Sequence, residues 1–224
     1  FGIPLGVSAT ILALFIIFGT FITTTGTGNL LYDFSAALVG KSRGGPAKIA
    51  VIASGLMGSV SGSPVANVVT TGTLTIPMMK RLGYKSDFAG GVEAAASTCG
   101  QFLPPVMGAN AFIMVVFTNI PYTQIMKYAI IPALLFVFAI FVTVHIESIK
   151  LQLAPAKANE KIKTVLSKYG HLLIPVAILV YMLVSGYSPA MSGALCTILL
   201  ILISFLKPTT RPTFFSILDS IEAS

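Results

Sequence analysis

The chain has 224 residues, of which 55% are hydrophobic and 9% charged, with no Trp, a formal net charge of +7 and a mean hydropathy of +0.91. A soluble domain carries about 25% charged residues, so this composition excludes an ordinary soluble enzyme and points to a polytopic membrane protein. The Lys and Arg residues flank apolar runs instead of lining one amphipathic face, which assigns them to the positive-inside rule and leaves no nucleic-acid partner.

Cys99 and Cys196 stand in separate apolar segments without CxxC or CxxxH spacing, so they read as packing residues and not as a disulfide or metal site. The chain starts at Phe1 with neither Met nor a signal-peptide pattern, and FFSILDSI at 214–221 opens a new pattern before Glu222. Those two ends read as the ends of a fragment.

Residues 1–45 are expected to hold a transmembrane helix and an interfacial helix. The apolar run 5–23 has the length that a hydrocarbon core about 30 Å thick requires. Thr24-Thr25-Gly26-Thr27-Gly28 breaks it, after which Leu30, Phe34 and Leu38 recur on the face opposite Asp33, leading to Lys41 and Arg43.

Residues 46–79 carry Lys41, Arg43 and Lys48 on one flank and Lys80, Arg81 and Lys85 on the other. Both flanks belong on the cytoplasmic side, and the stretch is too short for two full crossings of about 20 residues each. A re-entrant hairpin satisfies both constraints, with arms rising about 20 Å towards the midplane. Its tip is expected in Gly58-Ser59-Val60-Ser61-Gly62-Ser63-Pro64-Val65-Ala66-Asn67.

Residues 80–145 are expected to form a broken transmembrane helix and a second, intact one. The break is placed at Thr98-Cys99-Gly100-Gln101-Phe102-Leu103-Pro104-Pro105, where Gly and a Pro pair interrupt 89–117. Asn119-Ile120-Pro121 turns the chain outside, and 125–144 returns. Residues 146–170, with Lys150, Lys157, Lys161, Lys163 and Lys168, are assigned to a cytoplasmic loop. Residues 171–224 then give a transmembrane hairpin turned at Gly186-Tyr187-Ser188-Pro189, closed by Lys207 and Arg211, and the start of a following helix. Lys127 alone of the basic residues falls outside. The fold class is thus an all-α membrane protein with a re-entrant helical hairpin and a broken helix.

Non-helical backbone at membrane depth must line a cavity or be buried in protein, because unpaired amides are costly in lipid. Two successive breaks therefore mark a site. Half-helix N-termini favour anions, while unwound carbonyls and hydroxyls suit sodium. The hairpin supplies Ser59, Ser61, Ser63 and Asn67, with Thr70, Thr71, Thr73 and Thr75 along the returning arm, and the broken helix adds Ser97, Thr98 and Gln101. Each hydroxyl could instead bond its own i−4 carbonyl, and Gly62, Gly72 and Gly100 could serve close helix packing. Glu93, two turns inside Lys85, reads as an interfacial or salt-bridged residue; His145 and His171 read as solvated loop residues.

Two rival functions are weighed. Gly58-Ser59-Val60-Ser61-Gly62 could hold an intramembrane serine nucleophile, but no base stands near it in the sequence. A re-entrant loop can also build a channel filter, which needs symmetric assembly. Neither an enzyme nor a cofactor beyond a coupling ion is expected.

SGSPVANVVTTGTLTIPMMKRLGY (61–84), FAGGVEAAASTCGQFLPPVMGANAFIM (88–114) and RGGPAKIAVIASGLMGS (43–59) together resemble the large membrane subunit of TRAP transporters, most of all its TAXI branch, in which large and small subunits are often fused. The resemblance covers residues 1 to about 150. It implies a multi-pass protein of a bacterial or archaeal inner membrane, working by an elevator mechanism as a sodium-driven importer of small organic acids. Its implied partners are a soluble periplasmic binding protein, the small membrane subunit, the bilayer and the organic anion itself. The family half-site for sodium and substrate maps onto Ser61, Gly62, Ser63, Asn67, Thr98, Gly100, Pro104 and Pro105, with Ser61, Ser63, Asn67, Thr98 and Gly100 implied around sodium. Thr70, Thr71 and Gln101 join this set from their position beside the breaks. No second Gly/Ser/Pro/Thr-rich hairpin follows Lys207, so the other half of the site is expected outside this sequence.

Overall fold

In the computed structural model, the described residues are 6, 8–40, 42–153 and 162–205, and among them the protein is all-helical, with no sheet. Leu5, Lys41, Lys157, Lys161, Lys207, Arg211 and the 214–221 pattern lie outside the described residues, as does the side chain of Lys168.

A π-helical turn, Ser8–Leu12, leads into α1 (Ala13–Thr24) and then α2 (Thr27–Val39). The chain bends by 66° between these two helices. Gly26, at φ 82°, makes the bend. The buried side of α2 is Thr27, Leu30, Leu31 and Ser35, whereas Leu38 is exposed. Of the expected Leu30-Phe34-Leu38 stripe, Leu30 is buried and Phe34 packs against the core, while Leu38 does not.

Next come α3 (Gly45–Ser61) and α4 (Pro64–Arg81), the two arms of a helical hairpin, and α5 (Ser86–Thr98). These three helices all touch one another, and α3 also packs on α1 and α2. α3 is buried along nearly its whole length. Its sequence, GPAKIAVIASGLMGSVS, is rich in Gly, Ala and Ser, which let neighbouring backbones approach closely. After the break, α6 (Ala109–Thr118) and α7 (Tyr122–Lys150) follow, with Asn119 in the left-handed conformation between them.

At 29 residues and high hydropathy, α7 is the one described helix long and apolar enough by itself to cross a membrane; the bent pair α1–α2 passes the same test if taken as one span. α7 also runs beyond its expected end. His145 lies on it, with Lys48 Nζ 3.0 Å from Nδ1, so it is part of a helix pairing and not a loop residue.

α8 (Ile162–Tyr169) occupies part of the expected loop and packs on α2, with Val165 buried. A 3-10 turn, Gly170–Leu172, leads into α9 (Leu173–Val184), and α10 (Pro189–Ser204) returns along α1. One apolar core joins α1, α6, the start of α7, α9 and α10; a second, at the other end of α3, is built from Ala47, Val51, Met79, Tyr84, Val92 and Val144.

Candidate functional site

The hairpin turns within two residues. α3 ends at Ser61, Gly62 takes φ 66° and its N–H donates to Gly58 O at 2.8 Å. Ser63 then caps α4, its Oγ accepting from the Ala66 N–H at 3.3 Å, with Pro64 in the first turn. The ten-residue irregular tip expected from sequence is mostly helical, because burial of α3 holds Gly58 and Ser59 in the helix.

Opposite this turn, α5 gives way to a 3-10 turn at Cys99–Gln101, a cis Pro104-Pro105 peptide and an α6 that starts after Gly108. One backbone bond ties the break to the hairpin, and two further contacts hold the break itself. The Val106 N–H donates to Ser59 O at 3.0 Å, and the Gly108 N–H donates to Gln101 O at 2.8 Å. From α7, the Tyr122 hydroxyl lies 2.9 Å from the carbonyl oxygen of Pro105 and also contacts that of Val106. The crossing leaves no spare space: a Cβ on Gly62 would stand 2.2 Å from Met107 O.

Between hairpin, break and α1 lies a cavity of about 660 Å³. Phe15, Met57 and Phe112 are among its apolar lining residues, and Thr20, Ser61, Asn67, Thr70, Gln101 and Asn110 among the polar ones. None of the described lining residues is charged. The first turns of α4 and α6 both border it, through Ser63, Pro64 and Ala66 and through Ala109 and Asn110. Two positive helix ends therefore face one cavity, beside the carboxyl ends of α3 and the 3-10 turn.

Comparison with known proteins gives this geometry a context. The family model "Tripartite ATP-independent periplasmic transporter, DctM component" matches residues 4–223. The chain belongs to this family. The C4-dicarboxylate TRAP transporter large permease of Pseudomonas aeruginosa is 32% identical over 79% of this chain and 40% of its own length. The C4-dicarboxylate large permease of Vibrio cholerae is 34% identical over 62% of the chain and 31% of that protein. The sialic acid large permease of the same organism is 27% identical over 82% and 43%. The chain thus spans less than half the length of these curated relatives.

Within the TRAP permease chain, the expected site residues do not stay together. Ser61, Gly62, Ser63, Asn67, Thr70 and Gln101 line the cavity. Asn67 is almost fully buried and its Nδ2 donates to Ser54 O at 2.7 Å, while Ser61 Oγ is buried with no hydrogen-bond partner among the described residues. Gly100, Pro104 and Pro105 shape the crossing but do not line the cavity. Thr98 is exposed and donates to Ala94 O at 2.7 Å, its own helix taking up the hydroxyl. Thr71 points one turn below the tip, to Glu93.

The TRAP permease also holds features that sequence reasoning missed. Phe15, Gly19 and Thr20 of α1 join the cavity from far along the chain, and a Cβ on Gly19 would lie 3.0 Å from Ser61 Cα. Glu93 makes no salt bridge among the described residues. It is fully buried, and its carboxylate accepts from Ser54 Oγ at 2.7 Å, Thr71 Oγ1 and Thr75 Oγ1 at 2.5 Å each, and Ser97 Oγ at 3.2 Å. A carboxylate among adjacent Ser and Thr positions on an apolar helix was the available signal.

Proposed function

We propose that the chain forms the first half of the transport unit of an inner-membrane TRAP large permease, importing a small organic acid with sodium. The observation that carries this reading is the convergence of two helix N-termini, the end of α3 and the 3-10 turn on one cavity whose described lining residues carry no charge. Helix N-termini favour a carboxylate without a fixed cation, and the side-chain oxygens of Ser61 and Asn67 suit sodium. An unpartnered buried hydroxyl at Ser61 is an oxygen available to such an ion.

The names of the relatives, C4-dicarboxylate and sialic acid permeases, both describe carboxylate cargo and support an organic anion here. On this reading, α3–α4 is a re-entrant hairpin, α5–α6 is a broken span, and an inverted second repeat elsewhere in the full-length permease completes the site in an elevator-type cycle. A periplasmic binding protein delivers the acid, and a small membrane subunit, separate or fused as in the TAXI branch, supports the scaffold. The TAXI assignment rests on the sequence resemblance in 43–114.

The test is uptake of labelled C4-dicarboxylates, sialic acid and keto acids into proteoliposomes holding the full-length permease and its small subunit. Uptake should require both an inward sodium gradient and the cognate binding protein. Uptake indifferent to both would replace the carrier with a channel.

A further inference from the structure

Glu93 has no basic side chain within ion-pair distance among the described residues, yet it is completely buried. Its acceptor oxygens are served by hydroxyls from three helices: Ser54 of α3, Thr71 and Thr75 of α4, and Ser97 of α5. Gly72 makes room for it, since a Cβ there would lie 3.2 Å from Glu93 Cγ. A buried carboxylate is a costly way merely to join helices, which apolar packing does as well. What it adds is direction.

That direction leads to the cavity. Ser54 stands one turn from Gly58, Thr71 one turn from Asn67, and Ser97 two residues before the 3-10 turn. Asn67 is linked to this layer: its Nδ2 donates to Ser54 O at 2.7 Å, and its backbone carbonyl oxygen lies 2.8 Å from the Thr71 hydroxyl, whose single proton it shares with Glu93. We propose that Glu93 is the positioning residue of the hairpin half-site, holding Asn67 and the break in one fixed relation and thereby setting the affinity for the coupling cation. This inference rests on the sodium reading above.

The experiment is a sodium titration of the melting temperature of the purified full-length permease with its small subunit, with choline chloride keeping ionic strength constant. The unmodified protein should be stabilised saturably by sodium. Glu93→Gln keeps the side chain's size but removes the carboxyl group and one acceptor oxygen, and Thr75→Val removes the hydroxyl that contacts Oε2. Losing a hydrogen bond that orients the site should raise the half-saturating sodium concentration about fivefold or more in each. A purely structural role would lower the melting temperature equally in sodium and choline and leave that concentration unchanged, which overturns the proposal. Should Glu93→Gln fail to fold, Thr75→Val decides by the same criterion. A wild-type protein indifferent to sodium overturns the sodium reading and this inference together, an outcome distinct from a responsive wild type with unaltered variants.

Discussion

Gly58 and Gly100 meet backbone to backbone: a Cβ on Gly58 would lie 2.8 Å from Gly100 Cα, and one on Gly100 would lie 2.5 Å from Gly58 Cα. This is where the first arm of the hairpin crosses the broken helix, and neither backbone can yield without moving the cavity. Gly58→Ala and Gly100→Ala should each destabilise the protein by about 1–3 kcal/mol, the usual cost of overpacking. Thermal unfolding of the purified permease measures this. Gly90, with nothing within 4 Å of its Cβ position, is the control, and Gly90→Ala should be neutral or stabilising.

Gly62 combines two constraints, a φ of 66° and a Cβ position 2.2 Å from Met107 O. The left-handed conformation alone costs a non-glycine residue about 1–2 kcal/mol. Gly62→Ala should therefore pull the hairpin turn away from Met107 and lower uptake further than it lowers the amount of folded protein. Uptake normalised to protein detected in the membrane gives the comparison.

Tyr122 stacks on Phe112 with ring centroids 4.9 Å apart and puts its hydroxyl against the two carbonyls that follow the helix break. Tyr122→Phe keeps the stack and removes only the donor. A drop of about 1–3 kcal/mol is expected from leaving buried carbonyls unsatisfied, seen as a lower melting temperature. An unchanged melting temperature would assign the ring, not the hydroxyl, to holding the break.

The hairpin and the break were legible because both are written locally. Gly62-Ser63-Pro64 carries a left-handed stop, an N-cap and a first-turn proline in succession, and Gly100 with Pro104-Pro105 interrupts an apolar run. Orientation around each helix was not legible. Ser97 and Thr98 are neighbours in sequence but about 100° apart around a helix, and only the packing of α3 and α4 decides that Ser97 faces Glu93 while Thr98 faces outward. The same holds for α2, whose inner face takes in Thr27, Leu31 and Ser35 beside Leu30 because α3 and α8 flank it. Glu93 was misread for a related reason. Its partners are hydroxyls drawn from three helices, of which only Ser97, at i+4, lies in its own segment.

The central claim, that hairpin tip and helix break form one half-site for cation and anion, is tested most directly by the sodium dependence of uptake in Asn67→Ala. Asn67 lines the cavity and carries no charge, so its loss should act on the ion and not on the overall field. The account predicts normal protein levels with a sodium requirement raised about tenfold, the effect of removing one to two hydrogen-bond equivalents. Wild-type sodium dependence at normal protein levels would contradict it.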